Sequence, residues 1–86
     1  MRIVAKPIKI IAAFDEKGEP TPLKFQVNKN GNWRLVKVDQ VLSSETIKPS
    51  GMEALVYSCQ SEIKGTFKKY EIVFRIKPHK WELYKA

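Results

Sequence analysis

A strict alternation of apolar and polar residues near the end of the chain limits the possible folds more than any other feature. Tyr70, Ile72, Phe74 and Ile76 share one parity, and mostly charged residues stand between them. A period of two with β-branched and aromatic residues is typical of a half-buried strand, because a helix would spread the same residues around its circumference. The segment therefore predicts a strand with one face in the core.

A second strand follows this one after a short polar turn. The turn is predicted at Lys77-Pro78-His79-Lys80, because proline removes a donor from the ladder. Trp81 and Leu83 then share a face, and we expect them to pack beside Phe74 and Ile76 in an antiparallel pair. Large aromatic side chains bury roughly 150–250 Å² each, so this closing hairpin is expected to belong to the core.

Four more strand-like runs precede the hairpin, at residues 1–14, 21–29, 33–41 and 52–63. Asn30-Gly31 separates the second from the third, and a type I′ turn with two positive φ angles favours this dipeptide. The first run is apolar on both faces, and Pro7 predicts an edge position or a bulge there.

Other breaks in the pattern carry their own predictions. Pro20 and Pro22 predict an extended, unpaired entry to the second strand, and a shift of apolar phase predicts a bulge at Asp39-Gln40. The stretch from Leu42 to Lys48 fits either one helical turn or a strand. No helix of useful length is indicated anywhere.

The resulting prediction is one all-β domain spanning residues 1–86. We expect a six-stranded antiparallel meander curled into a small barrel or a strongly curved sheet, because several strands are apolar on both faces.

The charge balance indicates which partners the surface would attract. Sixteen Lys and Arg against nine Asp and Glu give a net charge of +7, and the cations divide evenly between the two halves of the chain. With no basic tail, the excess must lie on the folded surface, where it attracts polyanions such as nucleic acid or acidic lipid. Basicity that serves only solubility is the alternative.

Several kinds of chemistry lack their residues. One cysteine and one histidine can form neither a disulfide nor a structural zinc site, and no phosphate-binding glycine motif is present. A Cys59–His79 nucleophilic pair is disfavoured because Cys59 lies in an apolar strand. Asp15, Glu16 and Glu19 lack the spacing of a calcium loop and are interpreted as solvated carboxylates.

These observations predict a non-enzymatic protein with no metal and no cofactor. The single cysteine is consistent with a reducing, cytoplasmic setting. Neither a signal peptide nor an apolar run of about 20 residues is recognised, so no membrane association is expected.

Nucleic acid is the predicted partner, bound by outward residues of the closing hairpin, and Lys24 and Arg34 extend this face if their strands neighbour the hairpin. Small β-barrels bind single strands or duplexes through cations and exposed aromatics, with roughly 1–3 kcal/mol for each base that stacks. Tyr57 could add a second stacking ring, and an ordinary solvated strand face is the alternative for the lysines. The candidate binding residues are Lys24, Arg34, Lys69, Arg75, Lys77, Lys80, Tyr84 and Lys85.

A protein-interaction module is the second hypothesis. Trp33 and Trp81 each lie beside a predicted turn, and an exposed indole there could anchor a protein partner. If both indoles belong to the core, this hypothesis loses its anchors.

Four segments also carry a resemblance to a known group of proteins. They read PIKIIAAFDEKGEPTPLKF, NWRLVKVDQVL, LVYSCQSEI and WELYK. In these segments the chain resembles a family of small, uncharacterised all-β proteins from clostridia and related Firmicutes. The resemblance implies a bacterial protein connected with nucleic-acid metabolism, and it carries no catalytic or binding residue over to this chain.

Overall fold

The structure is a computed structural model of residues 1–86, and nearly all of its elements are strands with alternating side chains. Seven strands form one antiparallel sheet, and the only helical segment is a three-residue 3₁₀ turn at Pro49–Gly51. No helix is therefore long and apolar enough to cross a membrane. The strands are β1 (Ile3–Phe14), β2 (Pro20–Lys29), β3 (Asn32–Lys37), β4 (Gln40–Ile47), β5 (Ala54–Ile63), β6 (Thr66–Arg75) and β7 (Lys80–Lys85).

Two meanders meet in the middle of the sheet. The strand order is β3-β2-β1-β7-β6-β5-β4, so β1 and β7 pair with each other and join the two halves. Arg2 and Ala86 extend that ladder by exchanging backbone hydrogen bonds of 3.1 and 3.0 Å. The two edge strands, β3 and β4, follow each other directly in the chain but lie at opposite edges.

The sheet is strongly curved. Phe25 on β2 and Tyr70 on β6 are three strands apart in the ladder, a separation of about 14 Å in a flat sheet, yet their ring centroids lie 5.6 Å apart. The hydroxyl of Tyr57 on β5 also donates to the carbonyl of Pro20 on β2. These contacts require the two halves of the sheet to fold toward each other around a concave face.

The core occupies this concave face, as the alternation predicts. Trp81 stacks on Phe74 at 4.5 Å between ring centroids and on Tyr57 at 5.9 Å. The predicted packing of Trp81 beside Phe74 is thus confirmed, whereas Leu83 lies opposite Ile72 rather than Ile76. The buried residues of this cluster are Phe25, Tyr57, Cys59, Tyr70, Ile72, Phe74 and Trp81.

A smaller cluster covers part of the convex face. Ala54, Val56 and Val73 are buried there, and Ile47 and Tyr84 pack against them. This second cluster explains why β5 reads as apolar on both faces.

The prediction of six strands is wrong by one. The run 33–41 is not a single strand with a bulge at Asp39-Gln40; β3 ends at Lys37 and β4 starts at Gln40, at the opposite edge of the sheet. The ambiguous stretch from Leu42 lies mainly in β4. No ladder joins β3 to β4, so the sheet is not closed.

The Asn30-Gly31 turn agrees with its prediction, whereas the prolines at the start of β2 do not. Asn30 and Gly31 have φ angles of 53° and 84°, the positive pair that a type I′ turn needs. The prediction of an unpaired entry to β2 is wrong, because Pro22 lies opposite Ala12 in the ladder. Proline has no amide donor, and the register of the ladder shifts at this point. Near Pro7 the predicted irregularity is present, since Ala5 has a φ of 44° where the β1–β7 register shifts.

Candidate functional site

Four strands end their core-facing row of side chains with a cation, all at the same end of the sheet. Lys29 follows Phe25 and Val27 in phase on β2, and Arg34 stands in phase with Val36 on β3. The antiparallel arrangement brings these strand ends together with the start of β1 and of β6. The four inward cations are Lys6, Lys29, Arg34 and Lys68.

These cations line an open cavity of about 780 Å³ on the concave face, which we call the basic basin. Its floor is apolar and includes Phe25, Val27, Val36, Tyr70 and Leu83. No Asp or Glu side chain lines it. Seven cations do so, namely Arg2, Lys6, Lys29, Arg34, Lys64, Lys68 and Lys69.

The cations of the basic basin have no anionic partners within the protein. The two ion pairs of the molecule lie elsewhere, between Lys48 and Glu53 at 3.7 Å and between Arg75 and Glu82 at 3.0 Å. Like charges gathered around a concave apolar floor reinforce one another's field. An anion that enters the basin therefore meets several unneutralised cations at once.

The basin opens along a seam between β3 and β5. At one end of the seam, Ser61 donates a hydrogen bond to the carbonyl of Lys37 at 2.6 Å, and the amide of Glu62 donates to a carboxylate oxygen of Asp39 at 2.7 Å. Further along, the cavity separates the two strands, with Leu35 on one side and Ile63 on the other. The incomplete closure of the sheet thus creates the opening.

The core between the basin and the opposite end of the sheet is poorly solvated. Burial raises the pKa of Tyr70 to about 12 and that of the Cys59 thiol to about 12. The pKa of Tyr57 rises to about 12, mainly through burial and further through the charge of Glu19. Cys59 is therefore a protonated packing group at neutral pH, and its thiolate is not populated for nucleophilic chemistry.

The opposite end of the sheet is acidic. A smaller cavity of about 320 Å³ is lined there by Asp15, Glu19 and Glu45. The Asp15 carboxylate accepts hydrogen bonds of 2.9 Å from the amides of Lys17 and Glu19, which fixes the β1–β2 turn. No group of three or more Asp, Glu, His or Cys side chains is arranged to hold a metal ion.

The structure distributes the predicted binding residues over several surfaces. Arg34 and Lys69 line the basic basin, whereas Lys24 lies on the outward-facing row of β2. β1 separates β2 from the closing hairpin, so Lys24 and Arg34 do not extend the hairpin's outward face. Lys77 and Lys80 are exposed at the hairpin turn.

Three further predicted residues are partly engaged within the protein. Arg75 is half-buried and donates a hydrogen bond to Glu82, which partly neutralises the hairpin face. Tyr84 is half-buried against the convex cluster, and Lys85 is half-buried opposite Glu71 in the ladder.

The aromatic residues that were predicted to stack on bases or anchor a partner differ in their exposure. Trp81 and Tyr57 are buried in the core, so neither can anchor a partner or stack on a base. Trp33 is 46% exposed on the convex face, where the Lys9 ammonium lies 4.2 Å from the ring centroid. The protein-interaction hypothesis therefore rests on Trp33 alone.

Sequence reasoning missed most of the basic basin. Lysines on the outward faces are out of phase with the core residues, whereas Lys6, Lys29 and Lys68 are in phase with them. A cation at a core-parity position on several strands is the signal that was available. Only the topology shows that these positions converge.

No protein-family model, curated protein or solved structure matches this chain. The function can therefore be inferred only from the geometry of the basic basin.

Proposed function

We propose that this protein is a non-enzymatic nucleic-acid-binding module that takes a single strand into the basic basin. The observation that carries the proposal is the group of seven unpaired cations around an apolar, concave floor. Phosphates at the rim would replace the missing counter-charges, and release of counterions from the strand would favour the complex.

The shape of the basin favours a single strand over a duplex. A duplex presents its phosphates on a rigid convex surface, whereas a flexible strand can bend into a cavity and turn its bases inward. The bases would meet the aliphatic side chains of Val27, Val36 and Leu83. Such contacts tolerate any base, so weak sequence preference is expected.

The acidic end of the sheet indicates where on the protein the strand would bind. Asp15, Glu19 and Glu45 repel phosphates from the end opposite the basin. A strand would therefore occupy the basic end, away from the turn that contains Lys77.

The test compares binding of a fluorescent oligodeoxythymidylate with binding of a duplex of the same length, by anisotropy at low salt. We expect the single strand to bind more tightly. Lys68→Glu and Arg34→Glu should each weaken its binding by about tenfold or more, since each removes a phosphate contact and adds a repulsive charge in the basin.

Lys77→Glu is the matched control, because it makes the same change in net charge at an exposed turn far from the basin. It should weaken binding by no more than about twofold, as a screened distant charge does. Equal losses in all three variants would show that only the overall charge attracts the strand. Absence of binding in the wild-type protein would overturn the proposal directly.

A further inference from the structure

The free edge of β3 has unpaired backbone groups. The amide of Val38 donates to Leu23 on β2, whereas the carbonyl of Lys37 points away from β2 and accepts from Ser61. Alternate residues of an antiparallel strand direct their backbone groups to opposite sides. Trp33 and Leu35 have the phase of Lys37, so their amides and carbonyls face outward with no strand to pair with.

The other edge of the sheet is irregular and β3 is not. In β4 the register shifts between Val41 and Ser43, and four polar residues in succession follow Leu42. Bulges and polar side chains are devices that discourage pairing at an edge. β3 contains no bulge and no proline over Asn32–Lys37, and its register with β2 is regular.

The convex side of this edge is apolar with cations around it. Trp33 is 46% exposed and Leu35 is 62% exposed, and both occupy the outward row of β3. Ile11, 53% exposed, faces outward two strands away. Lys9 holds the Trp33 ring through a cation–π contact, which limits the conformations of the indole before any partner arrives.

From these features we propose that the β3 edge binds an extended acidic peptide of a protein partner as an additional strand. Its outward side chains would be apolar and pack on Trp33 and Leu35. Its inward side chains would be acidic and meet Arg34 at the mouth of the seam. The backbone hydrogen bonds supply the register, as in other β-strand additions.

Charge complementarity favours such a peptide over a second copy of this chain. Two copies joined edge to edge would bring two proteins of charge +7 together, along strands that each carry Arg34 and Lys37. An acidic strand reverses this repulsion.

The test uses NMR on the wild-type protein with a short, end-capped peptide of alternating glutamate and valine as the probe. We expect chemical-shift changes centred on β3 and slower hydrogen exchange at the amides of Trp33 and Leu35. The same peptide with N-methyl groups on alternate residues, on its pairing edge, should bind at least about tenfold more weakly, because it cannot donate to β3.

A protein variant gives an independent readout. Leu35→Pro removes an amide that is not used in the β2–β3 ladder, so the fold is expected to persist while peptide binding falls by about tenfold. Leu35→Ala keeps the amide and should lose less affinity. Far-UV circular dichroism and the NMR spectrum of the free variant check that its sheet is intact.

Three results would overturn the proposal. Shift changes confined to Lys29 and Lys68 would show simple anion binding in the basin. Equal affinity for the N-methylated peptide would exclude strand addition, and concentration-dependent protection of β3 without peptide would identify a second copy as the occupant. Oligonucleotide binding is tested separately, by the charge variants of the basin.

Discussion

Ser61 donates a hydrogen bond of 2.6 Å to the carbonyl of Lys37, across two strands that form no ladder with each other. Because that hydroxyl proton is committed to Lys37, the hydroxyl of Tyr70 must be the donor in its own contact with Ser61. Three strands, β6, β5 and β3, are thus linked by one chain of hydrogen bonds at the end of the seam. This chain holds the two meanders together where the sheet does not close.

The first prediction concerns this link. Ser61→Ala removes the donor to Lys37 and leaves the buried Tyr70 hydroxyl without its acceptor, so the free energy of unfolding should fall by about 1–3 kcal/mol. Urea unfolding followed by tryptophan fluorescence measures the change. Ser58→Ala is the matched control, since Ser58 lies on the same strand, faces the convex side and makes no side-chain hydrogen bond. Equal effects of the two substitutions would show that the link does not contribute.

The second prediction is a loss of stability at alkaline pH. Cys59, Tyr57 and Tyr70 have folded pKa values of about 12, above the ordinary values of 9.0 for the thiol and 10.0 for the phenols. As the pH rises, the unfolded chain therefore loses these protons first, which favours unfolding. The stability contributed by the neutral groups is complete below about pH 9 and is lost progressively between pH 9 and pH 12.

Tyr70→Phe isolates one of these groups. At pH 8 the variant should be less stable than the wild type, because it lacks the hydrogen bond to Ser61. Above pH 10 the wild type should lose stability faster, by up to about 1.4 kcal/mol per pH unit for one group, so the difference between the two proteins should shrink. Denaturant unfolding at several pH values measures it. A difference that stays constant up to pH 11 would contradict the prediction.

The third prediction is a change in salt dependence. Binding of single-stranded nucleic acid weakens with salt by a logarithmic slope of about −0.7 per phosphate contact. Lys68→Gln and Lys29→Gln should each reduce the steepness of that slope by about 0.7, because each removes one contact in the basic basin. Lys77→Gln should leave the slope unchanged. Anisotropy titrations over a range of salt concentrations supply the slopes, and an unchanged slope for the two basin variants would place the phosphates elsewhere.

The fourth prediction contrasts the two tryptophans. Trp81 is buried between Phe74 and Tyr57, so Trp81→Ala should cost about 3–5 kcal/mol. Trp33 is half exposed, and Trp33→Ala should cost about 1 kcal/mol or less, including its contact with Lys9. Urea unfolding monitored by circular dichroism compares them, with Trp81→Phe as the milder substitution if the alanine variant does not fold. Similar costs at the two positions would contradict the assignment of core and surface.

The closing hairpin was predictable because its information is local. The parity of Tyr70, Ile72 and Phe74 identifies the buried face, and Pro78 marks the turn. Asn30-Gly31 is equally local, since the positive φ angles that it adopts are a property of the dipeptide.

The number of strands could not be predicted from local patterns. A change of apolar phase at Asp39 has the same appearance for a bulge within one strand and for a break between two strands. Only the long-range pairings decide, because β3 pairs with β2 and β4 pairs with β5.

The candidate site was the least predictable part. Lys29 and Lys68 are far apart in the chain and meet only because the sheet curves. Lysines on strands ordinarily occupy the solvated face, so binding residues are expected at the outward-facing positions. The convergence of inward cations depends on both curvature and strand order, and neither is encoded within a single strand.

The strand order has a consequence for how the chain reaches its native state. Every strand pairing except one joins strands that are consecutive in the chain, so each meander can form through short loop closures. The exception is the ladder between β1 and β7, which brings Ile3 opposite Lys85 and requires nearly the whole polypeptide to be gathered first. Since late closure of a long loop slows folding, the docking of these two strands is expected to be the rate-limiting event, with substitutions in that ladder acting on the refolding rate.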